Sequence, residues 1–315
     1  MAAISAFARR KPAGPAPDPA PASRRAGLKQ RVRRNLTAHG FLLGALLCFA
    51  YFSWYPMVRE VVMSFQRTRR GRTTWVGLDN LDHILQDPAF WQAWRNTLLF
   101  TLLALVLGFA VPFVVAVLLN ELRHAKAYLR ILVYLPVMMP PVASVLLFKY
   151  FYDPSYGLFN SVLRFLHLPT SAWLNSSSTA MVSVVVAATW MNMGGATLVY
   201  LAALQGIPGE LYEAAELDGA GLLRRIWHVT IPQTRLILSL LLLLQIVATM
   251  QVFVEPFLLT GGNGPQGSTT TVVYLIYQYA FNFNDYGSAS ALGLVMLIVL
   301  AGLSGLYARL SRTAD

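Results

Sequence analysis

The residues best placed to do chemistry on another molecule lie in a polar stretch, 207–233, between two apolar runs. Behind Pro208, Glu210 and Glu213 stand one turn apart, followed by Ala214, Ala215, Glu216, Asp218, Gly219, Ala220 and Gly221. Pro208 suits the start of a helix, and acidic residues in its first turn complement the positive end of the dipole. Gly219 and Gly221 have the backbone freedom to end it in left-handed geometry. A second short helix is expected over about Leu222 to Val229, with Leu222, Leu223, Ile226 and Trp227 on one side. Pro232 is expected to close this helix–turn–helix. The small side chains of Ala214 and Ala215 let another surface approach the backbone, while Glu213 and Asp218 offer fixed charges to a basic partner. The same residues also fit an interfacial linker, with Trp227 and the arginines among lipid headgroups.

A second set of polar groups sits inside apolar runs, where burial in lipid is costly and a pathway is the default reading. These are Trp190 and Asn192, with Gly194 and Gly195 expected to leave room beside them, and then Gln245, Thr249, Gln251 and Glu255. Four residues apart, Gln251 and Glu255 are expected to share a helix face. Amides both donate and accept, so beside an aromatic ring they suit sugar hydroxyls. The competing reading is hydrogen bonding between helices of a bundle. Gln245 is expected nearer the cytoplasmic gate.

Catalytic chemistry is not encoded in any recognisable motif. There is no GxxxxGK[ST] phosphate loop, no HExxH and no CxxC, and the five histidines are scattered without ligand spacing. No catalytic or metal residue is therefore assigned, and Cys48, the one cysteine, reads as a packing residue.

The elements that must hold these groups are membrane spans. Of 315 residues, 56% are hydrophobic and only 12% charged, against about 25% charged in soluble chains. The expected fold is an all-α membrane protein with about six transmembrane helices. They are placed at about Ala38 to Val62, Thr97 to Leu119, Ile131 to Tyr152, Ala180 to Leu201, Leu236 to Leu259 and Gly287 to Leu310. Pro136, Pro140 and Pro141 are expected to kink the third. Residues 1–35, rich in Ala, Pro and Arg, read as a disordered basic cytoplasmic tail ahead of a transmembrane domain over 36–315.

With both termini inside (N-in/C-in), seventeen Lys and Arg fall on the cytoplasmic side and eight outside. The net charge of +11 thus reads as positive-inside bias rather than nucleic-acid binding. The cluster QRTRRGR at Gln66–Arg72 runs against that bias and has no account from composition. On the outer side, Thr260, Gly261, Gly262, Asn263, Gly264 and Pro265 form a Gly-rich turn.

The string EAAELDGAGLLRRIWHVTIP resembles the signature loop of permease subunits of bacterial binding-protein-dependent ABC importers. The family pattern is Glu-Ala-Ala, two variable residues, Asp-Gly-Ala, then an aromatic-rich stretch ending in hydrophobic-Pro. It is matched at Glu213, Ala214, Ala215, Asp218, Gly219, Ala220, Trp227 and Pro232, with Ile226 where an aromatic is usual. VGLDNLDHILQDPAFWQAWRNTLLFT, RILVYLP, YGLFN, WMNMGGATLVYLAALQGIPGELYEAA and QVFVEPFLLTGGNGPQGSTTTVVYLIYQYAF resemble the carbohydrate branch, typified by maltose-type permeases. Asn263 stands as an insertion in the usual Thr-Gly-Gly-Gly-Pro.

The resemblance implies a sugar or related polyol as substrate, and a bacterial inner membrane as location. It makes the 207–233 loop the coupling helix that sits in a groove of a cytoplasmic ABC ATPase. Two ATPase copies, binding ATP and Mg, are implied, with a second and different permease subunit. An extracytoplasmic substrate-binding protein would meet Thr260–Pro265. No cofactor is expected in this chain. The alternatives are an ABC permease for another solute and a self-contained secondary transporter, for which only Glu255 offers an ionisable group.

Overall fold

The computed structural model describes residue 40 and residues 42–69, 71–121 and 126–312; the basic tail expected over 1–35 lies outside them. The chain divides into residues 1–59 and 60–315. An apolar helix, α1 (Leu42–Ser64), begins in the first part and is long enough to span a membrane.

The arginine cluster after it is a β-hairpin, unforeseen in the all-helical reading. Strands β1 (Gln66–Arg69) and β2 (Arg72–Trp75) pair antiparallel, with Gly71 at φ +76° in the turn. Thr68 and Thr73 stand opposite each other, their hydroxyls 3.0 Å apart. Asn80, on α2 (Asp79–Gln86), donates to the Ser64 and Gln66 carbonyls at 2.9 Å and so fixes the base of the hairpin.

Helix α3 (Pro88–Glu121) follows, capped by the Asp87 carboxylate on the Ala89 N–H at 2.8 Å. The third expected span is two helices, α4 (Lys126–Met138) and α5 (Pro141–Phe151), bent by 99° at Met139 and Pro140. Two prolines in succession remove two donors and bar the helical conformation before them, so the break exceeds an ordinary kink. After α6 (Leu158–Phe165) comes α7 (Ala180–Gln205), the central helix. It packs on α3 and α5 through Phe100, Phe148, Val184 and Val185, and further along on α3 through Ala116, Leu119, Tyr200 and Leu204.

The loop helix α8 (Gly209–Leu217) leads into α9 (Leu222–Met250). The fifth expected span, Leu236 to Leu259, is not one helix. The helix stops at Met250, residues 251–253 are non-helical, and a separate helix, α10 (Val254–Thr260), follows. Pro256 accounts for the break. In a continuous helix its N–H would pair with the Val252 carbonyl, and proline has none. The Thr271 hydroxyl takes that carbonyl instead at 3.0 Å.

Non-helical backbone at this depth needs such partners throughout. Asn96 on α3 donates to the Gly267 and Thr270 carbonyls at 2.8 and 3.0 Å, and the Thr97 hydroxyl accepts from the Val272 N–H at 3.0 Å. Helix α11 (Val272–Tyr277), capped by Thr271, packs with α12 (Tyr286–Arg312) around Ile84, Leu275 and Leu292.

Candidate functional site

The polar loop begins as the sequence leads one to expect. Pro208, at φ −56° and ψ 130°, precedes α8, and Glu210 lies in its first turn. The helix ends with Gly219 in left-handed geometry, φ +73°. The Gly219 and Ala220 N–H groups return to the Glu216 and Ala215 carbonyls at 3.0 and 2.9 Å, satisfying the end of the helix.

Two details differ. Gly221 is extended (φ −69°, ψ 170°) and caps the next helix. That helix is not a short element closed by Pro232 but the first turns of α9, which continues to Met250. A π-helical turn at Ile226–Thr230, with Ile231 N–H bonded to the Ile226 carbonyl, precedes Pro232. Widening the turn there is one way a helix accommodates proline, whose ring crowds the carbonyl four residues back.

No side chain of α8 is buried. Glu213, Ala214 and Asp218 are exposed, Ala215 is half-buried, and Trp227 is 66% exposed. Leu217, not singled out in the sequence, is 90% exposed beside them. The loop is anchored from behind by Arg225. Its guanidinium pairs with Glu216 on α8 and with Glu121 at the end of α3, the latter at 3.3 Å. The Tyr212 hydroxyl meets that of Thr230 at 3.1 Å.

The intramembrane polar residues gather, with one exception, around a cavity of about 490 Å³ between α3, α4, α7, α9 and α10. Asn192, Thr249, Gln251 and Glu255 line it, and so does Gln245, expected nearer the gate. Trp190 does not: its ring packs edge-on against Phe148 at 5.3 Å, within the apolar cluster. Gly194 does not make room either, because it lies against the Val133 carbonyl of α4. Gly195 has open space.

Gln251 and Glu255 lie on either side of the helix break and share no helix face. Glu255 is instead joined to α7, where the Asn192 amide donates to its Oε1 at 3.1 Å and to the Ala188 carbonyl at 2.9 Å. The Gln251 amide donates to the Val247 carbonyl at 3.0 Å. Part of the donor capacity here is thus used inside the bundle, while the carboxylate and amide oxygens keep acceptor capacity toward the cavity.

The Gly-rich turn forms one wall of a second cavity of about 400 Å³, bounded by Lys149, Asp153, Thr260, Gly261, Gly264 and Pro265. The Tyr156 backbone N–H, aided by that of Ser155, holds the Asp153 carboxyl below its ordinary range. Asn263 is built into the turn, its Oδ1 accepting from the Thr270 hydroxyl at 3.1 Å. Gly262, at φ +87°, leaves no space for a side chain, since a Cβ would fall 2.1 Å from the Tyr274 ring. Gly262→Ala is expected to cost about 2–4 kcal/mol, combining backbone strain and overpacking. Gly261→Ala, at φ +70° with open space around it, should cost only about 1 kcal/mol. Thermal unfolding of the solubilised protein compares the two, and equal melting shifts would refute the packing argument.

A family model described as "Binding-protein-dependent transport system inner membrane component" matches residues 108–314. A probable ABC transporter permease protein, YurN of Bacillus subtilis (strain 168), is 34% identical over 87% of this chain and 95% of its own. The arabinooligosaccharides transport system permease protein AraP of the same strain is 32% identical over 84% and 85%. Among solved structures, a chain of a bacterial alginate ABC transporter in complex with alginate pentasaccharide-bound periplasmic protein superposes with a TM-score of 0.79. It is 25% identical, covering 90% of this chain and 97% of that one.

Proposed function

The chain belongs to the family of binding-protein-dependent transport system inner membrane components, and on that basis we propose that residues 207–233 are where partner ATPases drive it and the 490 Å³ cavity is its part of the sugar path. It is a multi-pass inner-membrane permease subunit of a sugar ABC importer, without an ATPase site of its own.

The observation that carries the mechanism is the continuity of α9. One helix, 29 residues long, runs from the exposed loop to Thr249 in the cavity wall, a span of roughly 43 Å. In this reading the ATPases bind ATP with Mg and, as they close, move α8. Ala214 and Ala215 give close approach, Glu213 and Asp218 meet basic groups, and Trp227 packs at the edge. Because α9 continues as one helix through its π-helical turn at Ile226–Thr230, a tilt at Leu222 is carried on to Gln245 and Thr249. Movement there parts α9 and α10 from α7 and opens the cavity to alternate sides.

Amide and hydroxyl groups with one carboxylate suit a hydroxyl-rich sugar or polyol. The Thr260–Pro265 turn would receive the external binding protein, with a second, different permease completing the pore and two ATPases beneath.

Glu213→Lys tests the coupling role. An exposed charge contact is worth up to about 1 kcal/mol, and reversal adds repulsion of similar size. Binding-protein-stimulated ATP hydrolysis and uptake should therefore fall up to about thirtyfold in proteoliposomes. Unchanged rates would sink the assignment.

A further inference from the structure

Five aromatic rings stand in series on α10, α11 and the segment between the spans, and the coupling mechanism uses none of them. Phe253 and Phe257 stack at 5.0 Å and 14°. Tyr277 lies 5.5 Å from each of them, and Phe281 lies 5.1 Å from Tyr277. Tyr274 backs the row at 6.1 Å from both Phe257 and Tyr277. None of the five belongs to the three apolar clusters that form the core. Tyr274 alone is buried; Phe253, Phe257 and Tyr277 are half-buried and Phe281 is 65% exposed. The row is also directional, since Phe253 lines the 490 Å³ cavity while Phe281 lies at the far, open end.

We infer that Phe253, Phe257, Tyr277 and Phe281 form a stacking path for the pyranose faces of neutral saccharides, leading from the exposed Phe281 to the cavity. This rests on the sugar-importer reading and adds to it a site and a charge class. A pyranose presents a face of C–H groups that packs against the electron-rich face of an aromatic ring. Successive rings at sub-nanometre spacing let the sugar pass from one contact to the next without losing all of them. Tyrosine adds a hydroxyl for the sugar edge. Neutrality follows from the cavity at the end of the row. Among the described residues its wall carries Glu255 and no Lys, Arg or His, so a uronate arriving there meets like charge in a low-dielectric setting.

The test uses the complete importer in nanodiscs, with saturation-transfer-difference NMR. The probes are three neutral trisaccharides (maltotriose, cellotriose and arabinotriose) and trigalacturonate as the acidic counterpart. Saturation is applied separately to the aromatic and to the methyl protons of the protein. Aromatic saturation should reach the ring C–H protons of a neutral probe. Phe281→Leu and Tyr277→Leu should reduce that transfer roughly threefold or more, leaving transfer from methyl groups in place. Trigalacturonate should give a markedly weaker signal than the neutral probe.

Unchanged aromatic transfer in both variants, with methyl transfer intact, overturns the stacking path while the sugar reading stands. Loss of the second permease on purification, with transfer unchanged, likewise overturns it and assigns the rings to a subunit contact. No transfer from wild-type protein to any saccharide overturns both. Phe281 is exposed, so Phe281→Leu guards against a folding artefact.

Discussion

Gly194→Leu is expected to leave no assembled permease, because it places a bulky side chain at a helix crossing with no room for even a methyl group. Gly194 lies where α7 crosses α4, and a Cβ there would stand 2.7 Å from the Val133 carbonyl, 2.9 Å from Val137 Cγ2 and 3.0 Å from Tyr134 Cα. Two of the three are backbone atoms, so no rotamer change relieves the clash. In lipid, helices gain little from apolar burial and depend on close van der Waals approach, which small residues permit. Gly194→Ala forces the helices apart and should cost about 1–3 kcal/mol or more. Against that, removing a glycine from a helix interior returns about 1 kcal/mol, so the clash decides the sign. Leucine adds three further carbons with no space for them. Gly195→Ala is the control: nothing lies within 4 Å of its Cβ position, so only the propensity gain remains. Melting curves of the purified variants should show Gly195→Ala at or above wild type and Gly194→Ala well below, with Gly194→Leu absent from the membrane fraction. Wild-type melting of Gly194→Leu would refute the account.

How much of this was readable in advance follows from the range of the interactions concerned. The spans were legible because lipid demands long apolar runs. The polar loop stood out against them, and its helix start and end were set by Pro208 and Gly219 within a few residues. The end of α9 was not legible, because Val252, Phe253 and Val254 continue the apolar run through the break. What makes the break tolerable is the Thr271 hydroxyl, nineteen residues beyond the carbonyl it satisfies. Trp190 was misplaced for a related reason: residues 190 and 192 of a helix point about 200° apart, and Asn192 took the cavity side. The arginine cluster was read only as charge. Its two short strands, QRTR and RTTW, form a hairpin whose base depends on Asn80. Arg225 was missed because one of its partners, Glu121, is 104 residues away.

That arginine carries the other large prediction, one that separates stability from coupling. Arg225 joins α8, where the ATPases would push, to the end of α3, which lines the cavity through Phe100, Ala104 and Gly108. Its side chain is 14% exposed, whereas those of Glu121 and Glu216 are 36% and 61% exposed. In Arg225→Met both carboxylates therefore turn to water instead of remaining as buried, unpaired charges. The loss in folding stability should be near the about 1 kcal/mol of a partly exposed pair rather than the cost of a broken buried one. Methionine keeps the apolar stem of the side chain, so packing is largely preserved. Coupling between two sites is typically about 1–3 kcal/mol, and its loss corresponds to about 5- to 150-fold. Arg225→Met should thus melt close to wild type and still hydrolyse ATP in the assembled complex, while sugar uptake per ATP falls by about tenfold or more. If the ion pairs act as one unit, Arg225→Met combined with Glu121→Gln should be no worse than Arg225→Met alone. Uptake per ATP at the wild-type value in Arg225→Met would show that α8 moves the spans through α9 alone.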